Sequence, residues 1–394
     1  MPPTATQLDL YRTAIPMRPF EHAAARRSVA EAVVVRLHLA DGRCGWGECL
    51  PRPYVTGETI QSVLDAIQNQ LWPAMAGREL TEDTVAAATA CRASAALDRS
   101  EATPGGAAGD TCINSSACAM ELALFDAGAV DLAGPDAGAQ GKGTGRLAIA
   151  SRVSGVLGSA DPAKMAKRLR LMRWFGLRDF KLKLGFEPAV DQENLRIIRR
   201  KLAKALAAGK CTLRVDVNGG WTRDDTTARV AEMKSFGVCV VEQPVYCEAV
   251  ELAELARRCE LPLMADESLL SESDADALSG PNVWWNIRIS KNGGLRRAAR
   301  LAELAQRRGV PYVVGAMVGE SSILSAAQRR LLQVCRPGFV EGNYGKFLLS
   351  DDLTRKGLRF GYGGRLSALS GPGLGVRVDE RKLGQYAQHV ATLR

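Results

Sequence analysis

The chain has 394 residues, of which 46% are hydrophobic, and its 52 Lys and Arg against 43 Asp and Glu give a formal net charge of +9. That length suits about two to three domains, no apolar run approaches the ~18 residues that span a bilayer, and the N-terminus lacks the basic-then-apolar pattern of a secretory signal, so a cytoplasmic protein with reduced cysteines is expected. The basic residues are mixed with acids along helical patterns, which reads as a solvated surface rather than a nucleic-acid site, and the three histidines (His22, His38 and His389) lie outside the repeating central region, which argues against many hydrolase and zinc chemistries.

Residues 1 to about 60 read as β structure. The Val- and Leu-rich run Ala30 to Leu39, the turn signal Ala40-Asp41-Gly42-Arg43 and the segment Cys44 to Glu48 predict a hairpin. The prolines and glycine of Pro51 to Thr59 mark a loop, with Thr56 or Thr59 placed to cap a helix over Ile60 to Met75. Helical patterns at 81–98 and 115–130, separated by the Gly- and Ala-rich loop Thr103 to Asp110, complete a small α+β domain. Gly134 to Gly145 is the expected linker. Its Gly141-Lys142-Gly143-Thr144 lacks the spacing and the preceding strand of a phosphate loop.

From Leu147 the alternation is regular. Strands are expected near 147–153, 178–184, 211–217, 238–242, 262–266, 284–289, 311–316 and 338–342. Helices are expected near 161–174, 190–208, 223–236, 247–259, 272–279, 293–308 and 321–334. Eight strands with seven intervening helices nearly complete a parallel α/β barrel of the TIM type. After residue 350 the pattern breaks into Gly-rich turns and one short strand, Gly375 to Val378, a tail expected to return to the first domain. The expected division is a capping domain at 1–134, a barrel at 146–350 and a returning segment at 351–394.

Charge gathers at the ends of the expected strands, which is where the chemistry of such barrels sits. From Lys183 the successive steps to Asp216, Glu242, Asp266 and Lys291 are 33, 26, 24 and 25 residues. Asp216, Glu242 and Asp266 would converge as a hard oxygen site suited to Mg²⁺ or Mn²⁺. Lys181 and Lys183, two apart on a strand, share one face. A neighbouring cation and burial both lower a lysine's pKa, so either Lys183 or Lys181 can act as a base; the alternative role of Lys181 is to tune Lys183. Lys291, after the sixth strand, would face it from across the barrel mouth.

A metal between two lysines suits removal of the α-proton of a carboxylate. The resulting enediolate is stabilised by the cation, and the lysine takes the proton. Two other classes stay open on these residues: a barrel that binds a ligand or nucleic acid without turnover, and a phosphate-binding barrel with a lysine Schiff base.

These residues resemble the enolase superfamily, specifically its muconate-lactonizing-enzyme subgroup, over nearly the whole chain. Lys181-Leu182-Lys183 is similar to the subgroup's Lys-x-Lys motif. Asp216 (with Asn218), Glu242 in Val-Glu-Gln-Pro and Asp266 in Ala-Asp-Glu-Ser resemble its three metal ligands. Lys291 in Ser-Lys-Asn-Gly-Gly-Leu resembles its opposing acid/base. The resemblance implies an α+β cap on a modified (β/α)7β barrel, a Mg²⁺ site, a small carboxylate substrate and a homo-oligomer.

It further implies a lid from 17–26 and 51–59, with Tyr54 and Thr56 toward substrate and Asn218 and Glu267 as supporting groups. Glu320, near the mouth, would contact substrate or cap the next helix. Pro51 to Thr59 looks most like dipeptide epimerases. Those enzymes carry Asp-x-Asp on the eighth strand, where this chain has Val340-Glu341-Gly342-Asn343-Tyr344. The expected activity is a racemase or epimerase of an amino-acid derivative or dipeptide. The alternatives are a muconate-type cycloisomerase or β-elimination.

Overall fold

The computed structural model describes residues 3–22, 25–81, 84–86, 113–132 and 152–394. The expected linker at 134–145, the loop at 103–110 and most of the helix at 81–98 lie outside these residues.

Two long antiparallel strands, β1 (Ala5–His22) and β2 (Ala25–Leu39), open the chain, and β3 (Cys44–Cys49) pairs with β2. Between 51 and 59, where only a loop was expected, Pro53–Thr56 forms a single helical turn closed by Gly57. Thr59, not Thr56, then caps helix α1 (Ile60–Ala66), in a capping box with Ser62. The helix runs on to Met75 but widens into a π turn at Ile67–Leu71. Pro73 explains this: it has no N–H for the ladder and its ring crowds the carbonyl four residues back.

Helix α2 (Asn114–Asp126) is buried on nearly every side because it lies between the cap sheet and the barrel. The close approach is set by glycines. A Cβ on Gly47 would sit 1.8 Å from the Ala119 carbonyl oxygen, and one on Gly45 would sit 2.1 Å from that of Ala123.

The barrel alternates β4 (Gly155–Leu157), α3 (Pro162–Trp174), β5 (Asp179–Lys183), α4 (Pro188–Ala207), β6 (Thr212–Asp216), α5 (Arg223–Ser235), β7 (Val240–Glu242) and α6 (Ala249–Arg258). It continues through β8 (Leu263–Ala265), α7 (Glu272–Ala277), β9 (Val283–Ile287), α8 (Leu295–Arg308), β10 (Tyr312–Val314), α9 (Ser322–Val334) and β11 (Phe339–Val340). All eight strands are parallel neighbours in chain order. Val153 pairs in parallel with Val340, and Ser154 N donates to Val340 O at 2.8 Å, which closes the ring. The fold is a (β/α)7β barrel with an antiparallel cap. Side-chain caps set most helix starts: Asp161 for α3, Thr222 for α5, Ser271 for α7 and Ser321 for α9.

Of the strand expected at 147–153, residues 147–151 lie outside the described residues, and Arg152 and Val153 make single bridges to Arg365 and Val340; the first described barrel strand is β4 at 155–157. One sequence expectation is corrected. The tail forms no strand at 375–378, where Val378 makes a single bridge to Thr354. Instead α10 (Glu380–Tyr386), capped by Asp379, leads into β12 (Ala387–Leu393), which pairs antiparallel with β1.

The strand period of two lays out the barrel interior. Val240, Met264 and Val313, with Trp284 and Phe339 against them, plug the bottom with apolar side chains. Two residues further along the same faces stand Glu242, Asp266, Gly315, Asn286 and Glu341. The polar layer therefore rests on a dry floor.

Candidate active site

β5 delivers Lys181 and Lys183 to the interior, as the alternation requires, but into different surroundings. Lys181 Nζ lies 2.7 Å from Glu341 Oε2, 3.1 Å from Glu242 Oε2 and 3.4 Å from Asp216 Oδ2. Burial alone would discharge it, but these three acids outweigh burial and hold its pKa above the ordinary lysine value. Lys183 Nζ sits one layer higher and donates to Asp216 Oδ2 at 2.9 Å and Asn218 Oδ1 at 2.8 Å.

Lys291 follows β9, four strands from β5 in a ring of eight. Its Nζ meets Asp266 O at 2.6 Å, Asn286 O at 2.7 Å and Asp266 Oδ1 at 3.0 Å. Burial lowers its pKa against the opposing pull of Asp266.

Asp216, Glu242 and Asp266 end or follow the adjacent strands β6, β7 and β8, and all are fully buried. Asp216 and Glu242 are register partners. Among the described residues no three acids share one point at ligand spacing; each is turned onto basic nitrogens. Besides the lysines, the Arg288 guanidinium pairs with Asp266 and reaches Glu242 at 3.4 Å.

The backbone helps to aim these groups. Asn218 and Gln243, just past Asp216 and Glu242, adopt positive φ of 48° and 35°, a strain typical of functional strand ends. Gln243 Oε1 accepts from Asp266 N and Ser268 N, and its Nε2 donates to Ser268 Oγ, locking the end of β7 to that of β8.

The electrostatics suit a divalent cation. Burial raises Glu242 to about 7, with repulsion from Asp216 and Glu341 adding to it. Burial and Asp266 raise Glu267 to about 8. Asp216 stays below the ordinary range only because Lys183 and Lys181 outweigh its burial. Buried carboxylates that resist ionising together, on hard oxygen donors without imidazole or thiolate, fit Mg²⁺ or Mn²⁺. Asp216, Glu242 and Asp266 are the residues that would hold it.

A cavity of about 550 Å³ opens above this layer and reaches Lys181, Lys183, Asn218, Glu267, Arg288, Glu320 and Tyr54. Lys291 and the three acids lie behind its wall. Thr56 does not face it; the hydroxyl turns into the cap and accepts from Glu58 N at 3.4 Å. Glu320 lines the cavity and does not cap α9. Its Oε1 accepts from Met317 N at 2.7 Å, Ser321 caps the helix, and burial raises Glu320 to about 8.

Sequence reasoning gave no role to Arg214, Arg288, Glu341 or Gln243. Arg214 bonds Glu341 at 2.8 Å and Ser154 at 3.0 Å, and it lies over the Phe339 ring. Glu341, between Lys181 and Arg214, is held down to about 2 despite burial. A signal was present: Arg214 precedes Asp216 by two residues inside an apolar run, which points both to the same interior face.

Comparison with known proteins agrees with this architecture. Residues 5–135 match the mandelate racemase/muconate lactonizing enzyme N-terminal domain, and residues 164–382 match the enolase C-terminal domain-like family. The N-succinyl-L-Arg/Lys racemase of Bacillus cereus is 28% identical over 338 residues, 82% of each chain. Muconate cycloisomerase 1 of Pseudomonas putida is 29% identical over 366 residues, 90% of each chain. The crystal structure of N-succinyl Arg/Lys racemase from Bacillus cereus superposes with a TM-score of 0.80 at 24% identity, covering 99% of this chain and all of that one. With both family domains matched along one chain and the lysine and carboxylate layers in a (β/α)7β barrel, the protein is an isomerase of the enolase superfamily, in its mandelate racemase/muconate lactonizing enzyme group.

Proposed function

We propose that this isomerase removes the α-proton of a carboxylate substrate in the presence of Mg²⁺ and returns it, as a racemase or epimerase of an amino-acid derivative. The observation that carries this reading is the position of Lys183 and Lys291 at diametrically opposed strands of the ring. A divalent cation held by Asp216, Glu242 and Asp266 supplies, when bound, the counter-charge for the developing enediolate. Lys183, on the cavity wall, takes the proton, and Asn218 Oδ1 fixes the direction of its Nζ. Lys291, whose buried surroundings favour its neutral form, gives or takes a proton on the other face. Lys181 stays an ammonium and balances the carboxylates beneath the reacting centre. The apolar cavity walls, which include Phe175, Phe347 and Phe360, keep water from the carbanion.

A second reading has its own support. Lys291 does not line the cavity, and its three ammonium hydrogens are met by three acceptors. A lysine held in that way acts by charge rather than transfer, which suits a cycloisomerase or β-elimination with Lys183 as the single base.

Incubation with Mg²⁺ in D₂O and a panel of N-acylated amino acids, dipeptides and muconate-like acids tests both readings by NMR. The two-base reading expects α-proton exchange from both enantiomers, with Lys183→Ala abolishing it for one and Lys291→Ala for the other. Turnover that survives Lys291→Ala with one enantiomer inert replaces it by the one-base reading. A protein that neither binds Mg²⁺ nor exchanges any substrate overturns both.

A further inference from the structure

Where the ring of strands closes, between β4 and β11, backbone alone does not close it. Ser154 N donates to Val340 O at 2.8 Å. A parallel ladder is evenly spaced, so the next two bonds on this edge of β4, at Ser154 O and Val156 N, would go to the backbone of Gly342. Instead the Tyr344 hydroxyl takes both: it donates to Ser154 O at 2.9 Å and accepts from Val156 N at 2.8 Å. The ladder stops because Gly342 and Asn343 turn the chain away at positive φ of 90° and 56°. Two side chains of α9 hold that turn. Gln328 Nε2 donates to Glu341 O at 2.7 Å, and Arg329 Nε donates to Asn343 Oδ1 at 2.7 Å. β11 is followed by turns rather than by an eighth helix packed on the sheet, so side chains fill the upper half of the seam.

The cavity follows this seam. Val156, the register partner of Lys181, and Tyr344 line it at the strands, and Met172, Trp174 and Phe175 line it on the α3 side, outside the ring. A series of aromatic rings marks the path. Tyr344 packs edge-on against Phe360 with 5.2 Å between ring centres, Phe360 lies 4.9 Å from Phe347, and Phe347 packs edge-on against Phe175 at 5.5 Å. The path ends at Leu171 and Trp174, which share one face of α3, line the same cavity and are 61% and 75% exposed. Large apolar side chains left in water and continuous with a catalytic cavity mark a place where an apolar group of a ligand lies.

We infer that the substrate is an N-acylated amino acid with an apolar acyl chain, and that this chain leaves the barrel through the β4–β11 seam, past Tyr344, to lie on Phe347, Phe175 and Trp174. The inference rests on the proton-abstraction reading for the position of the carboxylate, beside Lys183. The path crosses the strand layer to a helix outside it, so the arm is an extended acyl chain rather than an amino-acid side chain. Burial of methylenes against the rings supplies the binding. The competing role of the aromatic series is packing alone, in the place of an eighth helix. The competing occupant of Leu171 and Trp174 is a second copy of this chain.

The test uses both enantiomers of N-acetyl-, N-butanoyl-, N-hexanoyl- and N-octanoylalanine. Binding is measured by calorimetry and exchange by NMR in D₂O, both with Mg²⁺. Affinity should rise by about two- to fourfold for each added methylene, and Leu171→Glu and Trp174→Glu should each cut the octanoyl-to-acetyl ratio by about tenfold or more. Both positions are exposed, so neither variant disturbs the core. No dependence on chain length in the native protein overturns the inference, and so does a ratio that survives both variants or a loss that falls equally on short and long chains. A ratio lost in Phe20→Ser, on the cavity wall supplied by β1, but kept in the α3 variants puts the chain under the cap and overturns the seam path. An oligomer that dissociates in the α3 variants with the ratio intact gives this face to a second copy and likewise overturns it. Length-dependent binding without exchange keeps the groove and overturns proton abstraction. Exchange without length dependence does the reverse.

Discussion

Lys181 and Lys183 stand on one face of one strand, yet their surroundings give them different work. Lys181 is enclosed by Glu341, Glu242 and Asp216 and is 2% exposed. Lys183 keeps only Asp216 and Asn218 and meets the cavity. Lys181→Met would leave buried carboxylates without their shared cation, at a cost of about 3–5 kcal/mol by the usual penalty for breaking a buried pair. Lys183→Met leaves Asp216 still near Lys181 and should cost less, about 1.5–3 kcal/mol, the worth of one charged hydrogen bond. Denaturant unfolding of the two variants checks this, and equal losses would refute the division of labour. The pair was legible in the sequence because a Lys-x-Lys inside an apolar run must put both on one face. Its partner Glu341 was not, because it lies 160 residues away and only ring closure brings it near. The same closure hid the role of Arg214.

At the scale of elements, cap and barrel are joined by buried carboxylates set on helix N-termini, where orphan N–H groups and the helix dipole favour an anion. Glu48 of β3 accepts from Ser321 N at 3.0 Å, Ser321 Oγ at 2.7 Å and Leu324 N at 3.0 Å at the start of α9. Glu121 of α2 accepts from Arg296 N at 2.9 Å at the start of α8. Glu58 takes the first N–H groups of α2 itself, from Ser115 and Ser116.

Burial raises Glu48 to about 7 from an ordinary 4.5. Below pH 4.5 the carboxyl is protonated both folded and unfolded and contributes no pH dependence. Between 4.5 and 7 the folded state keeps a proton that the unfolded state releases, so stability falls as pH rises through this window and levels above it. A shift of that size corresponds to about 3 kcal/mol at most. Unfolding free energies measured from pH 5 to pH 8 should therefore fall more steeply for the native protein than for Glu48→Gln. Parallel curves would mean that Glu48 titrates normally. Helix and strand positions were mostly legible from periodicity, but these docking acids were not. An acid in Gly-Trp-Gly-Glu looks like any solvated residue until the two domains meet.

At the scale of the whole molecule, the barrel is a local repeat and the cap is not. Each βα unit announces itself within about 25–35 residues, the length of one strand–helix module, whereas the cap sheet takes its fourth strand from the far end of the chain. β12 pairs from Leu8↔Leu393 to Thr13↔Ala387. Its sequence, Ala387 to Leu393, gave little sign of a strand because it is an edge with only partial burial. The contacts across this seam include Thr392 Oγ1 to Asp9 Oδ1 at 2.7 Å and the Tyr11 ring against His389 at 5.3 Å. Asp9 in turn holds His38 Nε2 at 2.9 Å on β2. Deleting residues 387–394 should therefore open the edge of β1 and loosen the cap from that side, while the barrel, closed through Val153 and Val340, keeps its own ladder. Hydrogen exchange followed by mass spectrometry should show faster exchange across β1 and β2 and little change in β5 to β9. An open edge also recruits other chains, so the truncated protein should associate as its concentration rises. Uniform loss of protection over cap and barrel would instead mean that the acids at the helix N-termini bind the two into one cooperative unit. In that case the C-terminal strand stabilises the catalytic layer as much as it does the sheet it completes.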